Sequence, residues 1–293
     1  MHAAENTVIQ AVASRDSERS RALNPNTVHD SYEALINDPL VDAVYISLPN
    51  HLHCEWTVKA LKAGKHVLCE KPFAMNVAEV ELMIQTAKDC DRLLVEAVWS
   101  RWHPRMIKAI DLVRSGKIGQ ITSIDASFTF PASIEGNYRL SPEMGGGALF
   151  DIGVYPLHAI AALVGDNAKV EMENCDVNFG PTGIDLTTKW QMRINDSITT
   201  TGLASFEMPE NQSLVIKGEK GSITFVGEQA FTSWKSASTL QIGELQEEFE
   251  GVDPYMLMIE NFGKRIQGEN SWVLPLETSL WVQRAVRAML EVL

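Results

Sequence analysis

Apolar positions in the first hundred residues fall into short continuous runs separated by longer amphipathic stretches. Val8 to Ala13 (VIQAVA), Ala43 to Leu48 (AVYISL), His66 to Cys69 (HVLC) and Leu93 to Val98 (LLVEAV) have the length of strands buried on both faces. Helical patterns lie between them: a stretch with Arg19 and Leu23, a short one from Tyr32 to Ile36, and Glu55 to Ala63, where Trp56, Val58, Ala60 and Leu61 suit a core-facing stripe. Gly64 stands where a helix end favours glycine, and Asn76 suits the N-cap of a helix through Val80, Met83, Ile84 and Ala87. Strands alternating with helices at this spacing predict a parallel sheet covered on both faces.

After residue 98 the rhythm changes. The pattern predicts a helix from Pro104 to Ser115, a strand from Thr122 to Phe130, and a helix from Ala148 to Val164 that stops at Gly165. Strand-like alternation follows at Lys169 to Asn178, Leu186 to Ile194, Ile198 to Glu207, Gln212 to Lys217 and Ser222 to Val226, with Asn195-Asp196 and Gly218-Glu219-Lys220-Gly221 as turns. Met256 to Ile266 and Glu277 to Leu293 read as closing helices. The expectation is an α/β chain of two domains: a parallel sheet over 1–97, then an α+β domain over 98–293 with a large, mostly antiparallel open sheet.

Composition narrows the partners. A length of 293 residues suits two domains, and 45% hydrophobic with 22% charged residues is ordinary for a globular chain. No apolar run is read as approaching the ~18 residues of a membrane helix, so membrane insertion is not expected. A formal charge of -13 without a Lys/Arg cluster repels phosphate backbones and excludes nucleic acid as the expected partner. Cys54, Cys69, Cys90 and Cys175 lack CxxC spacing, and no signal-peptide pattern opens the chain, so reduced thiols and a cytoplasmic setting are expected.

The front of the chain lacks one element. A dinucleotide-binding sheet usually opens with a strand and a glycine-rich turn that lets a pyrophosphate approach a helix N-terminus. No GxGxxG stands near the start, and MHAAENT, before the first strand, reads as the tail of a helix. The tip of that strand is Ala13-Ser14-Arg15-Asp16. A hydroxyl followed by arginine suits a ribose 2'-phosphate better than a free 2'-hydroxyl, so Ser14 and Arg15 favour NADP over NAD; a solvated turn fits the same four residues.

Three places offer chemistry. In GKHVLCEKP, Glu70 and Lys71 emerge at the carboxyl end of a buried strand and Pro72 stops the strand, which puts the lysine at the rim where such sheets bind ligands; an exposed turn lysine is the plainer alternative. In MGGGALFDIGVYPLHAI, Asp151, Tyr155 and His158 are four and three residues apart and share one face of a helix, behind three glycines that permit close approach. Pro156 implies a kink there that costs ~3 kcal/mol. A satisfied buried Asp-Tyr pair, with His158 as a core histidine, is the alternative. Asn50-His51-Leu52-His53-Cys54 follows a parallel strand and reads as a cofactor-side loop; a zinc site is rejected for want of four convergent ligands, and no metal is expected.

These residues resemble the glucose-fructose oxidoreductase / inositol dehydrogenase (Gfo/Idh/MocA) family, most of all its NADP-dependent dihydrodiol and sugar dehydrogenases. The anchors are ASRD at 13–16, LPNHLHCEW at 48–56, AGKHVLCEKP at 63–72, EAVWSRWHP at 96–104 and GGGALFDIGVYPL at 145–157. The resemblance implies a Rossmann-type domain, here without its first strand and glycine loop, and a second domain whose open sheet forms a homodimer or higher oligomer. It also implies that Lys71 contacts the nicotinamide ribose and substrate, that Tyr155 is the acid/base, and that Asp151 helps hold a sugar or polyol. Trp99 and Phe128 would line the substrate pocket with Asp151 and His158. Leu48, Asn50, His53, Glu70 and Arg101 match cofactor-side positions. The chain is expected to be an N-terminally shortened dehydrogenase whose hold on cofactor is weakened or lost; a non-catalytic sugar-binding or dimerising protein is the alternative.

Overall fold

The computed structural model describes residues 3–132 and 137–291. Its first part runs β1 (Ala11–Ala13), α1 (Ser17–Ala22), β2 (Thr27–His29), α2 (Tyr32–Ile36), β3 (Ala43–Ile46), α3 (His53–Lys62), β4 (His66–Glu70), α4 (Val77–Asp89) and β5 (Leu94–Ala97). Pairing is parallel throughout, in two separate pieces, β1-β2 and β3-β4-β5. Between the pieces lies a cavity of about 80 Å³ whose lining includes Ala13, Tyr45, Ser47, Leu48 and Trp56.

Continuous apolar runs follow from burial on both faces. In β4, Val67 and Cys69 enter a core with Trp56, Leu61, Val80 and Met83, while Leu68 points into a larger core shared with the second half of the chain. β5 divides the same way, Leu94 to the first core and Val95 and Ala97 to the other. Asn76 caps α4 as expected, accepting from the Glu79 N–H at 3.0 Å.

The second part runs α5 (Pro104–Arg114), β6 (Ile121–Thr129), α6 (Val154–Val164), β7 (Val170–Phe179), β8 (Asp185–Ile194), β9 (Ile198–Ser205), β10 (Asn211–Gly218), β11 (Gly221–Val226), β12 (Ser238–Ile242), β13 (Leu245–Phe249), α7 (Pro254–Ile266) and α8 (Leu276–Glu291). One eight-stranded sheet, ordered β13-β12-β11-β10-β6-β9-β8-β7, is antiparallel except where β6 pairs with β9. Its apolar face, including Ile124, Trp190, Met192, Leu214 and Ile216, shares the larger core with α6, and its other face carries hydroxyl pairs such as Ser127 with Ser213 at 2.7 Å. α8 returns to the first part, where Leu276 and Leu280 pack against its core.

Several expectations change. β2, β12 and β13 are absent from the sequence reading: β2 has three residues, and β13 (LQEEF) carries charges that suit a sheet edge and hide its alternation. The described part of MHAAENT is a turn rather than a helix tail, and Ala4 is buried. Of the last predicted helix, residues 292–293 lie outside the described residues. The helix expected from Ala148 opens as a π-turn, Leu149–Gly153, and Pro156 falls in the first turn of α6 behind it, where a missing N–H interrupts least. Pro142–Val164 is long and apolar enough to cross a membrane by length and composition, contrary to the reading of the apolar runs; 89% of its most apolar window is buried inside the protein.

The π-turn is anchored from β8. Asp185 Oδ2 accepts the Leu149 N–H at 2.7 Å and the Thr188 hydroxyl at 2.8 Å. Gly147 has φ +126°, and a Cβ there would stand 2.1 Å from Asp185 Oδ1. Burial pushes the Asp185 carboxyl up to about 6, against its hydrogen bonds from Thr188 and Leu149. A folded-state pKa above the unfolded value means that its contribution to stability is present below about pH 4 and lost as pH rises through about 6. Urea unfolding between pH 4 and 7 should therefore favour Asp185→Asn increasingly as pH rises, by up to about 3 kcal/mol; a pH-independent difference would refute this.

Candidate active site

Lys71 leaves the carboxyl end of β4 and reaches across to the π-turn. Its ammonium donates to the Asp151 carbonyl at 2.6 Å and to Asp151 Oδ1 at 2.9 Å. The other carboxylate oxygen, Oδ2, accepts from Arg139 Nε at 2.6 Å, so one buried carboxylate is clamped by two cations. The Lys71–Pro72 peptide is cis. The Lys71 ammonium also stands 5.0 Å from the Tyr155 ring centroid, and Trp99 Nε1 donates to the Tyr155 hydroxyl at 3.2 Å. Phe128 flanks Tyr155 at 5.5 Å between centroids, Phe231 at 6.4 Å, and Tyr255 stacks on Trp99 at 4.9 Å.

Charge is balanced tightly here. Burial pushes the Asp151 carboxyl up, but Lys71 and Arg139 outweigh it and hold the carboxyl below its ordinary range. For Lys71, burial disfavours the ammonium, while Asp151 and Tyr155 more than restore it and raise the pKa. Tyr155 is raised, first by burial; Lys71 acts in the opposite direction without winning. Glu70 is raised by burial against a hydrogen bond from Tyr45 and the charge of Lys71.

Lys71, Asp151, Tyr155, Trp99 and Phe128 are thus brought together. The cofactor-side set behaves differently, because much of its hydrogen bonding is spent inside the protein. Asn50 Nδ2 donates to the Gly145 carbonyl at 2.7 Å, tying the loop after β3 to the glycine loop. His53 has Nδ1 and Nε2 each 2.8 Å from a carbonyl, those of Pro72 and Leu48, which joins the turns after β4 and β3. Glu70 Oε2 accepts the Lys71 N–H at 3.1 Å. Ser14 Oγ accepts from the Asp16 N–H at 3.1 Å and lies 2.8 Å from Ser20 Oγ, beside an exposed Arg15.

Two placements need correction. His158 is wholly inaccessible, with Nε2 3.2 Å from Glu96 Oε2, so a substrate has no surface of it to touch. Arg101 is a core guanidinium that donates to the His158 carbonyl at 3.2 Å and lies 5.7 Å from the Trp272 ring; burial lowers its pKa to about 10. Both follow from the apolar surroundings of α6, which leave these polar groups facing one another. Arg139, Tyr255 and Phe231 were missed. Arg139 precedes the three glycines without a telling spacing, and Tyr255 and Phe231 arrive from far along the chain. Among the described residues no group of three His, Cys, Asp or Glu side chains could hold a metal. A cleft of about 530 Å³, lined in part by His66, Arg92 and Arg265, lies at the amino ends of β4 and β5, away from this chemistry.

A lysine, a carboxylate and a phenol meet at the carboxyl edge of a parallel sheet, and the comparisons with known proteins show that the chain is an NAD(P)-dependent oxidoreductase acting on CH–OH groups. Residues 1–97 match the model described as "Oxidoreductase family, NAD-binding Rossmann fold", and residues 106–224 match the "GFO/IDH/MocA C-terminal domain". The chain belongs to the Gfo/Idh/MocA family. It is 32% identical to an uncharacterised oxidoreductase of Rhizobium meliloti over 99% of this chain and 90% of that one. It is 30% identical to D-xylose 1-dehydrogenase (NADP(+)) 2 of Haloferax volcanii over 96% of this chain and 88% of that one. Among solved structures it resembles KijD10, a 3-ketoreductase from Actinomadura kijaniata in complex with NADP and TDP-benzene, with a TM-score of 0.88 and 27% identity over 97% of this chain and 89% of the other.

Because Asp151 is held below its ordinary range, its contribution to stability is present above about pH 4 and lost as pH falls further, the reverse of Asp185. Asp151→Asn should cost about 3 kcal/mol at pH 7 by leaving two cations unpaired, and that deficit should shrink at pH 3. Urea unfolding at the two pH values checks this; an equal deficit at both contradicts it.

Proposed function

We propose that this chain is an NADP-dependent oxidoreductase that moves hydride between nicotinamide and a secondary alcohol or carbonyl carbon of a sugar, polyol or dihydrodiol. The observation that carries the reading is the Lys71 ammonium placed against both Asp151 and Tyr155. Residues 1–97 would hold the dinucleotide and 98–293 the substrate. Open α/β sheets take such a ligand outside the carboxyl ends of their strands, and Ser14-Arg15 after β1 and Lys71 after β4 both stand at such ends. NADP is favoured by Arg15 and by relatives whose names carry NADP.

Bound nicotinamide supplies the hydride chemistry. In reduction, Tyr155 gives its proton to the carbonyl oxygen as negative charge develops there; in oxidation it takes the proton back. Lys71 favours the phenolate and the oxyanion together, and Asp151 fixes where Lys71 stands. Trp99, Phe128 and Phe231 give the aromatic wall on which the apolar face of a sugar ring can rest.

NADPH fluorescence titration should show saturable binding, and Tyr155→Phe should bind NADPH alike while turning over an aldose or polyol at least about a hundredfold more slowly. No saturable fluorescence change would favour the sugar-binding alternative without cofactor. Near-normal turnover of the variant would remove Tyr155 as acid/base.

A further inference from the structure

We propose that Trp99 is a positioning residue that aims and tunes the Tyr155 phenol through its indole N–H. The proposal rests on Tyr155 being the acid/base, and it gives Trp99 a task beyond lining the pocket. An indole N–H can only donate, so at 3.2 Å the Tyr155 oxygen is the acceptor. The phenol proton must then point elsewhere. Among the described residues the Tyr155 hydroxyl donates to no protein acceptor, and Phe128 and Phe231 flank its ring, which leaves the proton for a reacting oxygen.

The donor is itself held in place. Trp99 opens the 3-10 turn Trp99–Trp102 directly after β5, is 5% exposed, and is stacked by Tyr255 from the start of α7 with an interplanar angle of 23°. Other buried indoles do not share this arrangement: Trp102 and Trp190 leave Nε1 without a partner, and Trp281 donates to the Ala168 carbonyl. A donor binds a phenolate more strongly than a phenol, so Trp99 opposes the burial that disfavours ionised Tyr155. The difference corresponds to about one pH unit, or tenfold in phenolate fraction.

Two measurements on the cofactor-free chain read this without turnover. In ¹H-¹⁵N spectra of the seven indoles, one N–H, assigned by its loss in Trp99→Phe, should shift and exchange with solvent at least about tenfold faster in Tyr155→Phe. With 3-fluorotyrosine at the five tyrosines, the ¹⁹F signal lost in Tyr155→Phe should titrate about one unit higher in Trp99→Phe, which keeps a ring for Tyr255 to stack on. Trp99→Phe should lower kcat about tenfold near pH 7 with little change in KM. An indole signal indifferent to Tyr155→Phe, or a Tyr155 signal that behaves alike in both proteins, overturns the proposal. Both shifts present without NADPH-linked turnover would retain it and sink the dehydrogenase reading instead.

Discussion

The contact between Lys71 and Asp151 is the constraint on which the site depends. β4 delivers the lysine from a parallel sheet, and the π-turn before α6 delivers the carboxylate from the helix packed on the antiparallel sheet. Neither group could stay charged alone in so little water. Lys71→Met, or protonation of Asp151, would remove the charged contact and leave the Asn50 bond to the Gly145 carbonyl to tie rim to helix. The pair makes the register part of the electrostatics.

Two carboxylates at this junction show how environment sets their roles. Asp151, between Lys71 and Arg139, is held toward its ionised form and keeps the Lys71 ammonium beside Tyr155. Asp185, buried among neutral donors, is pushed toward its protonated form and serves to hold the π-turn. The same glycine loop touches both: the Gly147 carbonyl accepts the Asp151 N–H at 3.0 Å, and the absent side chain of Gly147 leaves room for Asp185. Substrate chemistry and local fold are therefore built from one short segment.

Much of this was legible in the residues. Strand-length apolar runs gave β3, β4 and β5 because both faces of a parallel sheet are buried, and Lys71 stood out because such a strand cannot hold it. Asp151 and Tyr155 were found by their spacing, although the turn that carries Asp151 is wider than the α-helix assumed. His158 was misplaced for the same reason: spacing shows a shared side of a helix but not what covers it, and here Glu96 and the core do. Arg139, Phe231 and Tyr255 left no local signal, because their relation to the site exists only after the chain has folded. Charged edge strand β13 was hidden by the residues that protect it from pairing further.

A double-mutant cycle on urea unfolding at pH 7, with Lys71→Met, Asp151→Leu and both together, tests the central contact most directly. Coupling of about 2 kcal/mol or more is expected, with the double variant less impaired than the sum of the two single ones. Additive losses would mean that the Lys71–Asp151 contact does not set how the two halves meet and would contradict the account.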